Sequence, residues 1–308
     1  MDFSAVLFGQ LIDPDAPEET GEDVVVARTD ETGFVVHGHG GAAAVARTAR
    51  ILSHLGAKES DVDQWRIHQN VSEDNRKILA MLEQAPTYRT ASILLDQYNG
   101  AGRRTREKIA QLRAGGKEEQ ALALEKRFYE TKTLARHLLD PWRVVFIGRP
   151  NVGKSSLLNS ILGYQRSIVN AQQGTTRDLV QAQTTIDGWL FEFVDAAGIR
   201  DATDELEQEG VSRAKSAIAD ADLVVRLFDE KDSMSEIESA RATESFRGDV
   251  PTIDVMNKCD LESTSQTDDS VLRVSAVNGT GLETLLQAIV QTLVPNPPQP
   301  GDGVWLYN

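Results

Sequence analysis

The chain has 308 residues, with 47 Asp plus Glu against 32 Lys plus Arg, a formal charge of −15 and a sequence pI of about 4.8. Its 40% hydrophobic and 26% charged content excludes wholesale disorder, and its length suggests about two domains. Such acidity excludes a general phosphate-neutralising surface, so DNA is not an expected partner and any RNA contact must be a local patch.

A single cysteine, Cys259, excludes an internal disulfide framework and a Cys-cluster zinc site. No stretch approaches the ~18 consecutive apolar residues of a membrane span. The opening MDFSAVLFGQLIDPD lacks a signal peptide's basic start and cleavage site. The expected location is therefore the cytoplasm, with no membrane partner.

Residues 1–64 begin with three apolar runs broken by turn residues, SAVLFGQLI, DVVVAR and GFVVHGHGG, which read as strands. AAAVARTARILSHLG follows as a helix closed by Gly56. From about 72 to 140 the pattern is helical. Leu124, Phe128, Thr131, Ala135 and Leu138 follow the spacing of one helix face, and Asp140-Pro141 stops it. From 142 to 294, the strand-like runs RVVFIG, LFEFVD, DLVVRLFD, PTIDVMN and VLRVSA alternate with helical stretches. That alternation predicts an α/β fold, a mainly parallel sheet covered by helices. A Pro-rich tail, PNPPQPGDG, begins at 295.

GRPNVGKSS at 148–156 fits the phosphate-loop pattern G-x-x-x-x-G-K-S/T between an apolar strand and a helix. Gly148 and Gly153 let successive N–H groups converge on phosphate oxygens at a helix N-terminus, so Asn151, Val152, Gly153, Lys154, Ser155 and Ser156 are expected to line a nucleotide. Lys154 would reach the β and γ phosphates, and the Ser155 hydroxyl would ligate Mg2+. Asp195, ending LFEFVD in the run DAAG, would sit near that ion through water, with the Gly198 N–H at the γ-phosphate. In QQGTTRD at 172–178, Thr176 would complete the Mg2+ shell beside Thr175.

NKCD at 257–260 ends the run PTIDVMN. The Asp260 carboxylate can accept from guanine N1–H and the 2-amino group, whereas adenine would leave it poorly paired. Asn257 can meet the N7/O6 edge and the Lys258 stem can cover the base. Ser275, Ala276 and Val277, in SAVNG, place the Ala276 N–H to read O6. Together these segments specify GTP and GDP.

GRPNVGKSSLLN, QQGTTRD, DAAGIRDATDELEQEGVSRA and NKCD resemble segments of the translation-factor-related GTPases. The resemblance is closer to the tRNA modification GTPase family (MnmE/TrmE), within the TrmE-Era-EngA-like P-loop GTPases. TGEDVV at 20–25 and HGHGG at 37–41 resemble pieces of that family's folate-binding domain. The resemblance implies a P-loop GTPase domain at 141–294, preceded by a small truncated α+β segment at 1–64 and a helical arm at 65–140, and followed by the tail at 295–308. It implies hydrolysis of GTP to GDP and phosphate with Lys154, Thr176 and Glu207 as catalytic residues. Glu207 would position the attacking water, since Ile199, next to Gly198, cannot. It further implies K+ held by Asn151, Asn170, Gln172 and Thr175, a homodimer through the GTPase domains, a folate derivative, and tRNA or a tRNA-modification protein as partner.

Two departures are visible. LGAKESDVDQWRIHQN stands where the family carries a G-E-F-x-x-R-A-F-like segment, and no C-x-G-K motif follows the last GTPase helix. Two other readings therefore stand beside the first: a GTP-operated binding switch without tRNA-modification activity, and a ribosome-assembly-type GTPase. His37-x-His39 reads as a turn into a helix, and AGRRTREKIAQLR at 101–113 as a solvated helix face. Trp65, Trp142 and Trp189 read as core or interface residues.

Overall fold

The structure, a computed structural model, describes residues 6–14, 16–17, 20–28, 33–168, 181–195, 220–243, 250–261 and 270–306. The chain divides into two compact units, Met1–Arg76 and Lys77–Asn308.

In the first unit the three predicted runs form β1 (Val6–Leu11), β2 (Glu22–Arg28) and β3 (Phe34–His37), an antiparallel sheet in the order β1-β2-β3. Helix α1 (Ala42–His54) ends at Leu55, just before Gly56 turns with φ 94°, and α2 (Val62–His68) is capped by the Asp61 carboxylate on the Gln64 N–H (2.7 Å). Val24 and Ile51 are buried, while Phe8, Phe34 and Trp65 are exposed, so Trp65 is not a core residue. The His39 ring lies 2.8 Å from Glu22.

The helical stretch resolves into α3 (Glu73–Gln84), α4 (Tyr88–Tyr98), α5 (Ala101–Ala114) and α6 (Glu118–Arg136). Thr87 and Thr90 form a reciprocal capping box at the start of α4. On α6 the predicted face is the packed one: Phe128 and Leu138 are buried, with Leu124, Thr131 and Ala135 partly buried beside them. Helix α5 buries Ala101, Gly102 and Ile109 and turns Arg103, Arg104 and Arg106 to solvent.

The second unit's sheet has the order β5-β6-β4-β7-β8-β9, from β4 (Trp142–Gly148), β5 (Gln181–Ile186), β6 (Trp189–Asp195), β7 (Leu223–Asp229), β8 (Thr252–Asn257) and β9 (Leu272–Arg273). All its pairings are parallel except β5 with β6. Strand β5, QAQTTI, is a polar edge strand without the apolar run that announces the others, so the sequence reading passes over it. Among the described residues, helices α7 (Lys154–Ile168), α8 (Met234–Thr243) and α9 (Leu282–Leu293) join this sheet. One core joins Phe146, Phe191 and Phe193 to Leu157 and Ile161 of α7, Leu285 and Ile289 of α9, and Leu94 and Leu134 of the helical arm. The alternate residues Val145, Val194 and Val224 bury the other face, which explains why these strands read as continuous apolar runs.

Polar contacts tie the arm to this sheet. The Thr87 hydroxyl donates to the Gly188 carbonyl (2.6 Å), and Arg89 grips Asp187 with two bonds of 3.2 Å while lying over the Trp189 ring. The tail packs back. Val304 is buried, its N–H donates to Gln97 (2.9 Å), and the Trp305 ring meets Phe128 at 5.2 Å. Buried His137 stacks on Trp142 at 3.6 Å and faces Asp222 at 3.4 Å, and Asp222 also accepts the Arg143 N–H at 2.7 Å.

Burial pushes the Asp222 carboxyl up, but hydrogen bonds from His137 and the Arg143 N–H outweigh it and hold the group below its ordinary range. A carboxylate depressed by folding contributes stability above the unfolded pKa of about 3.9 and loses it as the pH falls through the folded value. Asp222→Asn is therefore expected to melt below wild type at neutral pH, with the difference shrinking in acid. Thermal unfolding of both proteins across that range measures it.

Candidate functional site

Parallel pairing brings the strand ends to one edge of the sheet. Phe146 pairs with Asp195, Gly148 with Leu227, and Asp229 with Asn257. The phosphate-loop residues, Asp195 and the NKCD run, which lie between Gly148 and Asp260, therefore share that edge, as open α/β sheets place their ligand sites.

The loop from Gly148 to Gly153 turns sharply, with φ of 147° at Gly148, 63° at Asn151 and 95° at Gly153. A Cβ on Gly148 would lie 2.6 Å from the Leu227 carbonyl oxygen, and one on Gly153 only 2.3 Å from Asn257 Nδ2. Both positions require glycine for the close approach as well as for the backbone angle. The loop's carbonyls are held by side chains. Lys154 Nζ donates to Gly148 O and Arg149 O at 2.9 Å each, Lys258 Nζ to Asn151 O at 2.8 Å, and Asn257 Nδ2 to Val152 O at 2.9 Å. With the carbonyls so engaged, the N–H groups are the loop's remaining polar capacity, which suits an anion.

Beside this loop the Ser155 hydroxyl donates to Asp195 Oδ2 at 2.5 Å, and Asp195 is almost wholly buried. A hydroxyl and a carboxylate at the mouth of a phosphate loop are hard oxygen donors of the kind Mg2+ takes, so the residues fit that ion. Ser156 follows on the exposed side of α7.

The residues expected to read guanine also converge. Ser275 Oγ donates to Asp260 Oδ1 (2.5 Å) and accepts the N–H groups of Val277 and Asn278 at 3.2 and 3.3 Å. Asn257, buried, accepts the Ala276 N–H at 3.2 Å while donating to Val152, so one amide links the phosphate loop to the SAVNG turn. Ser160 of α7 donates to the Ala276 carbonyl. Lys258, with φ 68°, bonds both Asn151 O and Asp229 Oδ2, the latter at 2.6 Å. Burial pushes the Asp229 carboxyl up, and bonds from Lys258 and the Lys231 N–H more than reverse this, leaving it below its ordinary range.

Sequence reading passed over Asp229 and Asp232, which meet Lys258 and Arg149, and Ser275, which it places at the nucleotide, bonds Asp260 in the structure. Only the D-x-x-D spacing at the end of DLVVRLFD hinted at the first two. Asn170, Gln172, Thr175, Thr176, Gly198 and Glu207 lie outside the described residues. Among the described residues, no group of three His, Cys, Asp or Glu side chains could hold a metal, and no helix is long and apolar enough to cross a membrane.

Comparison with known proteins agrees with this geometry. Residues 143–258 match the family model described as 50S ribosome-binding GTPase. The chain is 30% identical over 321 residues to the tRNA modification GTPase MnmE of Synechococcus sp., covering 93% of this chain and 70% of the relative. The tRNA modification GTPase MnmE of Moorella thermoacetica is 31% identical over 336 residues, covering 93% and 71%. The chain belongs to the tRNA modification GTPase family. It is a P-loop GTPase, a GTP-hydrolysing enzyme, as the segments around Gly148, Asp195 and Asn257 imply. A solved structure of Aquifex aeolicus Era bound to GDP.AlF4- is also similar, at 27% identity over 48% of this chain and 56% of that one, with a TM-score of 0.35.

Gly153→Ala tests the site. The added methyl meets Asn257 in a backbone conformation that costs a non-glycine residue roughly 1–2 kcal/mol. The expected result is loss of GDP binding in a fluorescent-nucleotide titration, with the far-UV circular dichroism of wild type retained.

Proposed function

We propose that this chain hydrolyses GTP with Mg2+ and K+ and uses the cycle in modifying tRNA, in the cytoplasm, as a homodimer joined through its GTPase domains. The observation that carries the reading is the Ser155–Asp195 pair at 2.5 Å beside a phosphate loop whose carbonyls are already engaged. The relatives' printed name supplies the tRNA part.

In this reading Lys154 exchanges the Gly148 and Arg149 carbonyls for β and γ phosphate oxygens, where its charge follows the bond being broken. Ser155 and Thr176 would hold Mg2+, with Asp195 reaching it through water, and the ion would supply positive charge to the phosphate being transferred. Asp260, fixed by Ser275, accepts from guanine N1–H and the 2-amino group, and the Ala276 N–H and Asn257, bonded to each other at 3.2 Å without nucleotide, exchange that bond for the guanine O6/N7 edge. Glu207 orients the attacking water, a role the aliphatic Ile199 cannot fill. Asn151, with Asn170, Gln172 and Thr175, would hold K+, which would supply further positive charge to the phosphates.

Two measurements on the purified chain test this. Phosphate release from GTP should be faster in K+ than in Na+ buffer and should fall on the order of a hundredfold or more in Glu207→Ala, the size of effect typical of a lost water-positioning or general-base group. Equal rates would remove the K+ and Glu207 assignments. Asp260→Asn exchanges an acceptor for a donor, so preference should move from GTP toward xanthosine triphosphate, whose 2-oxo group accepts. Discrimination built on buried hydrogen bonds predicts a shift of at least about tenfold. Mass spectrometry of tRNA wobble uridines with the gene present and deleted tests the tRNA part, and an unchanged nucleoside profile would refute it.

A further inference from the structure

The turn that follows β7, Asp229-Glu230-Lys231-Asp232, makes contacts that the nucleotide chemistry does not require. Asp232 takes the Arg149 guanidinium on Oδ1 and the Asp229 N–H on Oδ2, the latter at 2.9 Å. Asp229 takes the Lys231 N–H on Oδ1 (3.2 Å) and Lys258 Nζ on Oδ2 (2.6 Å), and its own carbonyl accepts the Asp232 N–H at 2.8 Å. Lys258 continues to the Asn151 carbonyl at 2.8 Å. The result is a closed polar circuit, Arg149–Asp232–Asp229–Lys258–Asn151, that begins and ends on the phosphate loop.

Helix capping does not account for the two carboxylates. The start of α8 has its own cap, because Glu236 accepts both the Ser233 N–H (2.7 Å) and the Ser233 hydroxyl (2.9 Å). Asp232 instead spends both oxygens on the circuit, and its side chain is 11% exposed against 61% for the arginine it holds. Both loop residues gripped bear on the loop's shape. Asn151 holds a left-handed conformation, φ 63°, which asparagine visits more readily than other residues with a side chain, and the Lys258 bond to its carbonyl helps to hold it. Arg149 carries the carbonyl on which Lys154 rests, so fixing Arg149 fixes where the catalytic ammonium waits.

We propose that Asp229 and Asp232 are positioning residues for GTP and GDP, a brace that holds the phosphate loop in its anion-binding shape and thereby sets how long nucleotide stays bound. The brace touches neither phosphate nor base. It acts through Arg149, Asn151 and Lys258, and it rests on the reading of this loop as the GTP site.

Stopped-flow release of fluorescent GDP from the full chain provides the test, with steady-state GTPase kinetics alongside. Asp229→Asn and Asp232→Asn keep the shape and remove the charge, and each is expected to release GDP about tenfold faster, the scale of one lost charge-assisted bond. Both should raise KM for GTP more than they lower kcat. Arg149→Ala should do the same, and the Arg149→Ala/Asp232→Asn double variant should fall short of the product of the two single effects, because both remove the Arg149–Asp232 contact while Arg149 also meets Glu236 and Asp232 also holds the Asp229 N–H. Asp229→Glu, which keeps the carboxylate, should restore slow release and guards against a variant that merely misfolds. Wild-type release rates in Asp229→Asn and Asp232→Asn, multiplicative effects in the double variant, or release from Asp229→Glu as fast as from Asp229→Asn would each overturn the brace. A wild-type chain that held no GDP would instead overturn the nucleotide-site reading beneath it.

Discussion

A phosphate loop can present its N–H groups to an anion only if its carbonyls are satisfied elsewhere, and that constraint organises the second unit. Four carbonyls between Gly148 and Val152 are taken by three side chains, Lys154, Asn257 and Lys258. Two of those come from the NKCD run, more than a hundred residues downstream. The phosphate loop is thus held partly by the NKCD segment. Left without a partner, the buried Val152 carbonyl alone would cost about 1–3 kcal/mol, a large fraction of a domain's net stability.

The parallel sheet makes this possible. Strands β4, β6, β7 and β8 run the same way, so their C-terminal ends, at Gly148, Asp195, Asp229 and Asn257, fall along one edge. The core beneath is apolar on both faces, with Val144 and Phe146 on one side and Val145 and Ile147 on the other. Packing on both faces fixes the register, and the register fixes which residues meet. Arg149 and Glu236 show how exposed charge is then used: they meet at 3.5 Å near the solvent, where an ion pair orients more than it stabilises.

The helical arm joins the same unit at places remote from the phosphate loop. Thr87 and Arg89 hold the β5–β6 turn at Asp187-Gly188, Asp222 joins His137 to Arg143, and the tail at 301–305 lies against α4 and α6 through Asp96, Gln97 and Thr131. Strand β6 runs from that gripped turn directly to Asp195. The arm's contacts at Asp187-Gly188 and the Asp195 carboxylate therefore lie at the two ends of a single strand.

Much of this was legible in the sequence. GRPNVGKSS between a β-branched run and a helix, NKCD and SAVNG at strand ends, and the alternation of strands with helices together determined the α/β fold and the nucleotide class, because each depends on local backbone chemistry and residue spacing. The α6 face was legible for the same reason. What tertiary structure alone decided involves partners distant along the chain. Strand β5 is polar and becomes a strand only through its pairing with β6. Trp65 and Trp189 are the same residue type, yet only Trp189 is enclosed by neighbours. The Pro-rich tail has no periodicity of its own and takes its place from Gln97, Thr131 and Phe128. Asp229 and Asp232 read as two more acids in an acidic chain until folding sets them against Lys258 and Arg149. Residue type told which chemistry this protein carries; the parallel register decided which side chains hold that chemistry in place, since hydrogen-bond geometry exists only after the strands are aligned.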